Sequence, residues 1–249
     1  MPKKHRTNSV NFPPPQVPSQ NPAPPPPPPR AITRKPLQRN SYKPNNNPFV
    51  VSNAIIAINL GLFVWSQISG VNRFEKNMFL SRVFLDKGEW YRLVSAGFVH
   101  FGLFHVAMNM FLLFQLGRML EPTIGSTKFA LIYFASLLGG SAGALVLSPT
   151  AFTGGASGAV FGVMAAGVVG MRQHGLNPLK TGLGMTFAIN IVLTLAIPGI
   201  SIGGHFGGAL AGALCGFVIL APTRIKIPEF VQYATPILVG AAAIYISLA

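Results

Sequence analysis

One serine, Ser157, stands within a run of mostly small residues from 154 to 162. The neighbours of Ser157 are an alanine and a glycine, so little bulk blocks the approach of another molecule to its hydroxyl. The run opens an apolar segment without charge until Arg172, which predicts that Ser157 lies in the first turn of a helix. The first N–H groups of a helix have no partner within it and can donate to an anion formed there. Ser157 is therefore a candidate nucleophile.

The same small residues have a second interpretation that involves no chemistry. Small residues at every fourth position let transmembrane helices pack closely, and Gly158, Gly162 and Ala166 form such a row. The run alone does not decide between a nucleophile and a packing surface. The decision depends on which other side chains reach Ser157.

A histidine that can act as a base lies on a second segment with the same spacing of small residues. Gly204, Gly208 and Gly212 repeat every fourth residue around His205. Such a helix can approach a neighbour closely, and the row that follows Ser157 offers a matching surface. Contact between the two rows would bring His205 to a hydrogen-bonding distance of about 2.6–3.2 Å from Ser157. A serine and a basic histidine make an activated nucleophile without an aspartate.

Two further histidines and an asparagine lie near the start of another apolar segment. His105 and Asn109 are four residues apart and share one helix face, where both can donate hydrogen bonds to a developing oxyanion. His100 precedes His105 by five residues and, on the same helix, points about 140° away. We therefore expect only His105 and Asn109 to serve one site together. Hydrogen bonding between helices, without catalysis, is the alternative role for these groups.

The composition predicts a polytopic membrane protein. Half of the 249 residues are hydrophobic and a tenth are charged. We assign all five acids to loops and expect no carboxylate in the bilayer, no metal and no cofactor; the acids are Glu75, Asp86, Glu89, Glu121 and Glu229. The net charge is +14, and eight of the nineteen Lys and Arg residues lie in the first 43 residues. That distribution indicates a topogenic tail attracted to lipid rather than a surface that binds nucleic acid.

Three regions follow from the composition along the chain. We predict that residues 1–47 form a disordered, proline-rich, basic cytoplasmic tail. The six prolines at 24–29 favour a polyproline II spacer or a docking site for a partner protein. Residues 48–222 predict a catalytic transmembrane core that includes a folded outer loop at 70–93. Residues 223–249 predict a cytoplasmic linker and a seventh transmembrane helix.

Seven apolar segments and the positions of basic residues between them set the expected topology. The segments are 49–69, 94–117, 128–147, 157–171, 178–197, 203–222 and 231–248. Apart from the five basic residues of the outer loop at 70–93, Lys and Arg mark one side of the membrane, so the amino terminus should be cytoplasmic and the carboxyl terminus outside. The second, fourth and sixth segments then enter from the outer side, and their polar residues should meet at one depth.

The order and spacing of these motifs resemble those of the rhomboid intramembrane serine proteases over about residues 49–222. The resemblance is carried by Gly155-Ala156-Ser157-Gly158, His105-x-x-x-Asn109 preceded by His100, Gly204-His205, and Glu89-Trp90-Tyr91-Arg92. It implies an all-α fold with a rhomboid-like six-helix core, to which this chain adds a seventh C-terminal transmembrane helix.

The resemblance also implies an activity and a role for each residue that matches. Ser157 would be the nucleophile and His205 its general base and acid, with His105, Asn109 and the Ser157 N–H at the oxyanion hole. The supporting residues would be His100, Gly155, Gly158, Trp90 and Arg92. Substrates would be transmembrane segments of membrane proteins, cut near their outer end. The protein would be a multi-pass protein of the cell membrane, with a site that opens to the outer side.

Two other functions compete with proteolysis. A catalytically inactive rhomboid-like chaperone would bind transmembrane clients without cutting them, although both Ser157 and His205 are present. A small-solute transporter would also use glycine-rich helices and buried histidines, but the sequence has no two repeated halves. Without an acid, packing must orient His205; the aromatic candidates are Tyr133, Phe161 and Phe206, and a backbone carbonyl is the other choice.

Overall fold

The computed structural model describes residues 49–68 and 75–249, and these fold into helices joined by short connections. The described residues form seven long helices: α1 (Val50–Ile68), α4 (Leu103–Ile124), α5 (Ser126–Leu147), α6 (Ser157–Gln173), α7 (Gly182–Ala196), α8 (Ile202–Ile219) and α9 (Glu229–Leu248). Two helices of one turn, α2 (Arg82–Leu85) and α3 (Arg92–Ser95), lie between α1 and α4. The predicted tail, residues 1–47, lies outside the described residues, as does the start of the predicted outer loop.

The prediction of an all-α, polytopic membrane protein is confirmed. Within the described ranges, five helices are long and apolar enough to cross a membrane, namely α1, α4, α5, α8 and α9. Helix α7 is apolar but has only 15 residues. In the same ranges the extended structure is limited to one antiparallel bridge between Leu80 and Thr153.

The second apolar segment differs from its predicted boundaries at both ends. Residues 94–102 do not join α4, because Gly102 has a φ of 147° and breaks the helix before Leu103. At the other end α4 continues to Ile124, and Gly125, with a φ of 85°, separates it from α5. Glu121 is therefore in a helix, and its assignment to a loop was wrong.

Glu121 is buried, and it binds the amino-terminal ends of two neighbouring helices. Its carboxylate accepts hydrogen bonds from the backbone N–H of Val51 at 2.8 Å and of Ser52 at 2.9 Å. It also accepts one from the Ser126 hydroxyl, the first residue of α5, at 2.7 Å. A negative charge is favoured at helix starts, where the N–H groups lack partners. The carboxylate thus joins α1, α4 and α5 at the end of α4 away from His105.

We expect Glu121→Ala to destabilise the protein by about 2–3 kcal/mol, because one buried and two part-buried donors would lose their charged acceptor. The thermal unfolding midpoint in detergent measures the loss. Glu229→Ala is the matched control, since Glu229 is also near a helix start but exposed, and should cost about 0.3–1 kcal/mol. Equal, small losses in both variants would contradict the role assigned to Glu121.

Glycine contacts hold α5, α6 and α8 together at the centre of the protein. The predicted rows of small residues on α6 and α8 face each other: a Cβ at Gly158 would lie 3.1 Å from the carbonyl oxygen of Gly204. A Cβ at Gly212 would overlap the backbone of Gly162. Helix α8 also packs against α5, where a Cβ at Gly139 would lie 2.8 Å from the carbonyl oxygen of Gly207. This close approach sets the distance between the starts of α6 and α8.

The region between α1 and α4 is organised by the buried side chain of Arg92. Its Nη1 donates to the carbonyl oxygens of Lys76 at 2.7 Å and Phe79 at 2.8 Å. Its Nε donates to Glu89 Oε2 at 2.7 Å, and this hydrogen bond holds the pKa of the Glu89 carboxyl below its usual value. The guanidinium also lies over the ring of Phe84, 3.9 Å from the centroid. One buried cation therefore fixes the fold of residues 76–92.

This outer region is bonded to the connection between α5 and α6, which leads to Ser157. Leu80 and Thr153 exchange two backbone hydrogen bonds of 2.9 Å. The N–H of Gly155 donates to the carbonyl oxygen of Ala96 at 2.8 Å, and the N–H of Arg82 donates to that of Pro149 at 2.8 Å. The polypeptide before Ser157 is therefore held by the region between α1 and α4.

Candidate functional site

The starts of α4, α6 and α8 meet at one cavity of about 790 Å³. Its lining includes the four residues that the sequence predicts to act together: His105, Asn109, Ser157 and His205. Ser157 is the first residue of α6 and is half-buried, whereas Asn109 and His205 are buried. Among the described residues that line this cavity there is no Asp or Glu. The cavity therefore brings together a hydroxyl, two imidazoles and an amide from three separate helices.

Gly155 allows a histidine to lie beside the serine. Its φ of 123° is one that residues with a side chain rarely adopt. A Cβ at Gly155 would lie 2.6 Å from His105 Cε1 and 3.7 Å from Ser157 Oγ. Only glycine leaves this space, so the imidazole of His105 occupies the place of the missing side chain. Gly158, the residue after Ser157, lies instead at the contact with α8 and allows the two helices to approach closely.

The ring of His205 is held on two sides. Phe161, one helical turn after Ser157, stacks on it with ring centroids 4.0 Å apart and an interplanar angle of 22°. Phe161 was one of three aromatic candidates; Tyr133 instead packs edge-to-face against Phe134, and Phe206 is 40% exposed. Stacking fixes the plane of the imidazole, and the choice of ring nitrogen depends on its hydrogen bonds.

Those hydrogen bonds involve Thr194, which the sequence argument missed. Its Oγ1 lies 2.7 Å from His205 Nδ1, and the pair is buried. The partner is thus a hydroxyl of α7 and not a backbone carbonyl. A signal was present, since Asn190 and Thr194 are polar residues four apart in the second half of a mostly apolar segment. Sequence alone does not show which helix faces His205.

His100 is closer to the site than the helical angle suggested. The predicted angle applies only to residues of one helix, but α4 begins at Leu103, after His100. The two imidazoles meet edge-to-face with centroids 4.9 Å apart. His100 Nε2 also accepts a hydrogen bond of 3.4 Å from the backbone N–H of Ala156. His100 therefore contacts the polypeptide just before Ser157, although it does not line the cavity.

The remaining predicted residues differ in how close they lie to the cavity. Asn109 Nδ2 donates to the carbonyl oxygen of His105 at 3.0 Å, which leaves a second amide hydrogen for another acceptor. Arg92 is buried in the outer region, away from the cavity lining, and Trp90 is 66% exposed there.

Ser201 also lines the cavity, and its hydroxyl accepts a hydrogen bond of 3.0 Å from the N–H of Gly204. That bond makes Ser201 the N-cap of α8.

The described residues contain no cluster of three or more His, Cys, Asp or Glu that could hold a metal ion. The site consists instead of groups that donate and accept protons and hydrogen bonds. A hydroxyl beside a neutral imidazole suits nucleophilic chemistry, and free N–H groups at a helix start suit the binding of an oxyanion.

Comparison with known proteins places most of the helical core in one family. The model of the Rhomboid domain matches residues 87–222. The rhomboid protease GluP of Bacillus subtilis is 34% identical over 131 residues, which are 51% of this chain and 26% of that protein. RHOMBOID-like protein 5 of Arabidopsis thaliana is 36% identical over 57% of this chain and 48% of its own length. The chain thus spans less than half the length of these two relatives.

The match to a third relative covers more of that relative's length. Rhomboid-like protein 11 of Arabidopsis thaliana, a chloroplastic protein, is 30% identical over 197 residues, which are 72% of this chain and 68% of that protein. The matched residues include His100, His105, Asn109, Ser157 and His205. The predicted resemblance is confirmed, and this chain belongs to the rhomboid family.

Proposed function

We propose that this protein is an intramembrane serine endopeptidase whose catalytic residues are Ser157 and His205. The observation that carries the proposal is the meeting of these two residues at one cavity without a carboxylate, at the starts of two apolar helices. The name of a relative, rhomboid protease GluP, agrees with this activity. In a membrane, water must reach the peptide bond, and the cavity that carries His105, Asn109, Ser157 and His205 provides the route.

Proton transfer within the dyad follows from the free nitrogen of His205. Because Nδ1 is engaged by Thr194, Nε2 is the nitrogen left to take the proton of the serine hydroxyl. His205 Nε2 takes the proton as Ser157 Oγ attacks the scissile carbonyl carbon, and it then gives that proton to the leaving amine. An acyl ester on Ser157 forms while the peptide C–N bond breaks. Water, activated by the same nitrogen, hydrolyses the ester and restores the serine.

The negative charge on the attacked carbonyl oxygen needs donors at a fixed place. The backbone N–H of Ser157 lies at the start of α6, where helix N–H groups lack partners. Asn109 has a free amide hydrogen, and His105 lies against Gly155 on the same side of the cavity. We assign these three groups to the oxyanion hole. His100 and Gly155 then position the polypeptide that precedes Ser157.

The substrates we propose are transmembrane segments that unwind near their outer end. A scissile carbonyl within a helix already accepts a hydrogen bond, so it must leave the helix to enter the oxyanion hole. The site opens to the outer side of the cell membrane if the basic connections and the amino terminus are cytoplasmic. Segments with helix-breaking residues at that depth should be cut, whereas uniform leucine helices should not.

Purified full-length protein in detergent, treated with a fluorophosphonate label and with a panel of transmembrane substrates, tests the proposal. We expect covalent labelling at Ser157 and cleavage of the substrates that unwind easily. Binding of transmembrane segments without labelling or cleavage would instead indicate a chaperone. Solute flux in vesicles without labelling would indicate a transporter, and either result would overturn the protease assignment.

A further inference from the structure

Helix α7 is held loosely against the rest of the protein, with one exception near its carboxyl end. Only two of its 15 residues are buried, Gly184 in its first turn and Thr194 near its end. Thr194 is 2% exposed, whereas its neighbours Leu193 and Leu195 are 42% and 62% exposed. At that end of α7, the buried contact is therefore the one between Thr194 and His205 of α8.

The hydrogen bonds of Thr194 determine where its proton and that of His205 lie. Thr194 Oγ1 is 2.7 Å from the carbonyl oxygen of Asn190 and 2.7 Å from His205 Nδ1. A carbonyl can only accept, so the single hydroxyl hydrogen of Thr194 goes to Asn190. The oxygen of Thr194 then has lone pairs left for His205, and Nδ1 must carry the donated hydrogen. Nε2 of the neutral ring is consequently free of a proton.

We propose that Thr194 is a positioning residue, which holds His205 in the tautomer whose Nε2 can accept the proton of Ser157. This inference rests on the proposed protease function and names a part of the same site. In Ser-His-Asp enzymes an aspartate performs this task at the same ring nitrogen. Here a neutral hydroxyl does so, and the Asn190 carbonyl in turn fixes the direction of that hydroxyl.

The arrangement makes the dyad depend on the position of α7. Thr194 belongs to α7, whereas Ser157 and His205 belong to α6 and α8, which are joined by their glycine contacts. Phe161 fixes only the plane of the imidazole, because stacking does not distinguish the two nitrogens. When α7 moves away at this end, His205 stays in place, but no hydrogen bond then keeps the proton on its Nδ1. The dyad is therefore competent only while α7 is seated against α8.

The test compares Thr194→Val, which has the same shape without the hydroxyl, with Thr194→Ser, which keeps the hydroxyl. We expect Thr194→Val to lower kcat for a transmembrane substrate about ten- to a hundredfold with KM unchanged, since only proton transfer suffers. The rate of fluorophosphonate labelling should fall by a similar factor. Thr194→Ser should recover most of both rates, and both variants should remain folded at the assay temperature.

Thr235→Val is the matched control. Thr235 donates the same kind of hydrogen bond to a carbonyl four residues earlier, Val231, at 2.8 Å, but lies on α9, away from the cavity lining. We expect this variant to match the unsubstituted protein in both rates. A similar fall in kcat for Thr235→Val would show that loss of any helix-bound hydroxyl impairs the enzyme, which would overturn the inference.

Three results separate this inference from the proposed function. Cleavage by the unsubstituted protein with equal kcat in Thr194→Val would overturn the role of Thr194 and leave the protease assignment intact. A protein that neither cleaves nor reacts with the label would overturn the protease function and the role of Thr194 with it. If Thr194→Val does not fold, Thr194→Ser decides, because a kcat as low as that of His205→Ala would contradict a role for the hydroxyl.

Discussion

Replacing Ser157 or His205 with alanine should reduce cleavage of a transmembrane substrate by about a thousandfold or more, and replacing both should reduce it no further. The two residues act as one unit, because the hydroxyl is a weak nucleophile without the base and the base has no proton to take without the hydroxyl. Turnover of a substrate in detergent, measured for both single variants and the double variant, checks the expectation. Ser157→Ala should also abolish fluorophosphonate labelling.

Controls of the same residue types distinguish loss of chemistry from loss of fold. His174→Ala removes an exposed histidine at the far end of α6, and Ser247→Ala removes a buried serine that bonds only within α9. Both should cleave at the unsubstituted rate. The catalytic variants should keep the thermal midpoint of the starting protein. Normal turnover in either Ser157→Ala or His205→Ala would show that these two residues are not the catalytic dyad.

Local sequence properties were enough to predict the start of α6 and the contact between α6 and α8. A helix start depends on a few consecutive residues, so Ser157 could be placed in the first turn from the run around it. The glycine rows could be predicted because close packing of helices requires small residues with a period near four. The structure has both features, with Gly158 against Gly204 and Gly162 against Gly212.

Polar contacts between different segments of the chain could not be predicted from local sequence. The proximity of His100 to His105 depends on a helix break at Gly102, which an apolar segment does not reveal. The buried position of Glu121 depends on donors from α1, about seventy residues earlier. Thr194 contacts His205 only because the face of α7 that carries Thr194 lies against α8. Each failure concerns a polar group whose partner lies outside its own helix.

Gly212→Val should strongly destabilise the protein, and it is the expected effect of largest size on stability. A Cβ at this position would overlap the carbonyl group and Cα of Gly162, and a backbone cannot move aside as a flexible side chain can. Inserting extra carbon atoms in a tight core costs about 1–3 kcal/mol, and backbone overlap places this variant at or above the upper end. The helices α6 and α8 would separate, and Ser157 would lose His205.

Gly61→Val is the matched control, since it makes the same substitution within a helix where no atom lies within 4 Å of the added Cβ. Thermal unfolding in detergent and cleavage rate together decide the outcome. We expect Gly61→Val to behave as the unsubstituted protein, and Gly212→Val to unfold at a much lower temperature and to lose cleavage. A Gly212→Val protein with normal stability would show that α6 and α8 do not touch at this level. The contact that brings His205 to Ser157 would then have to lie nearer the starts of the two helices, between Gly158 and Gly204.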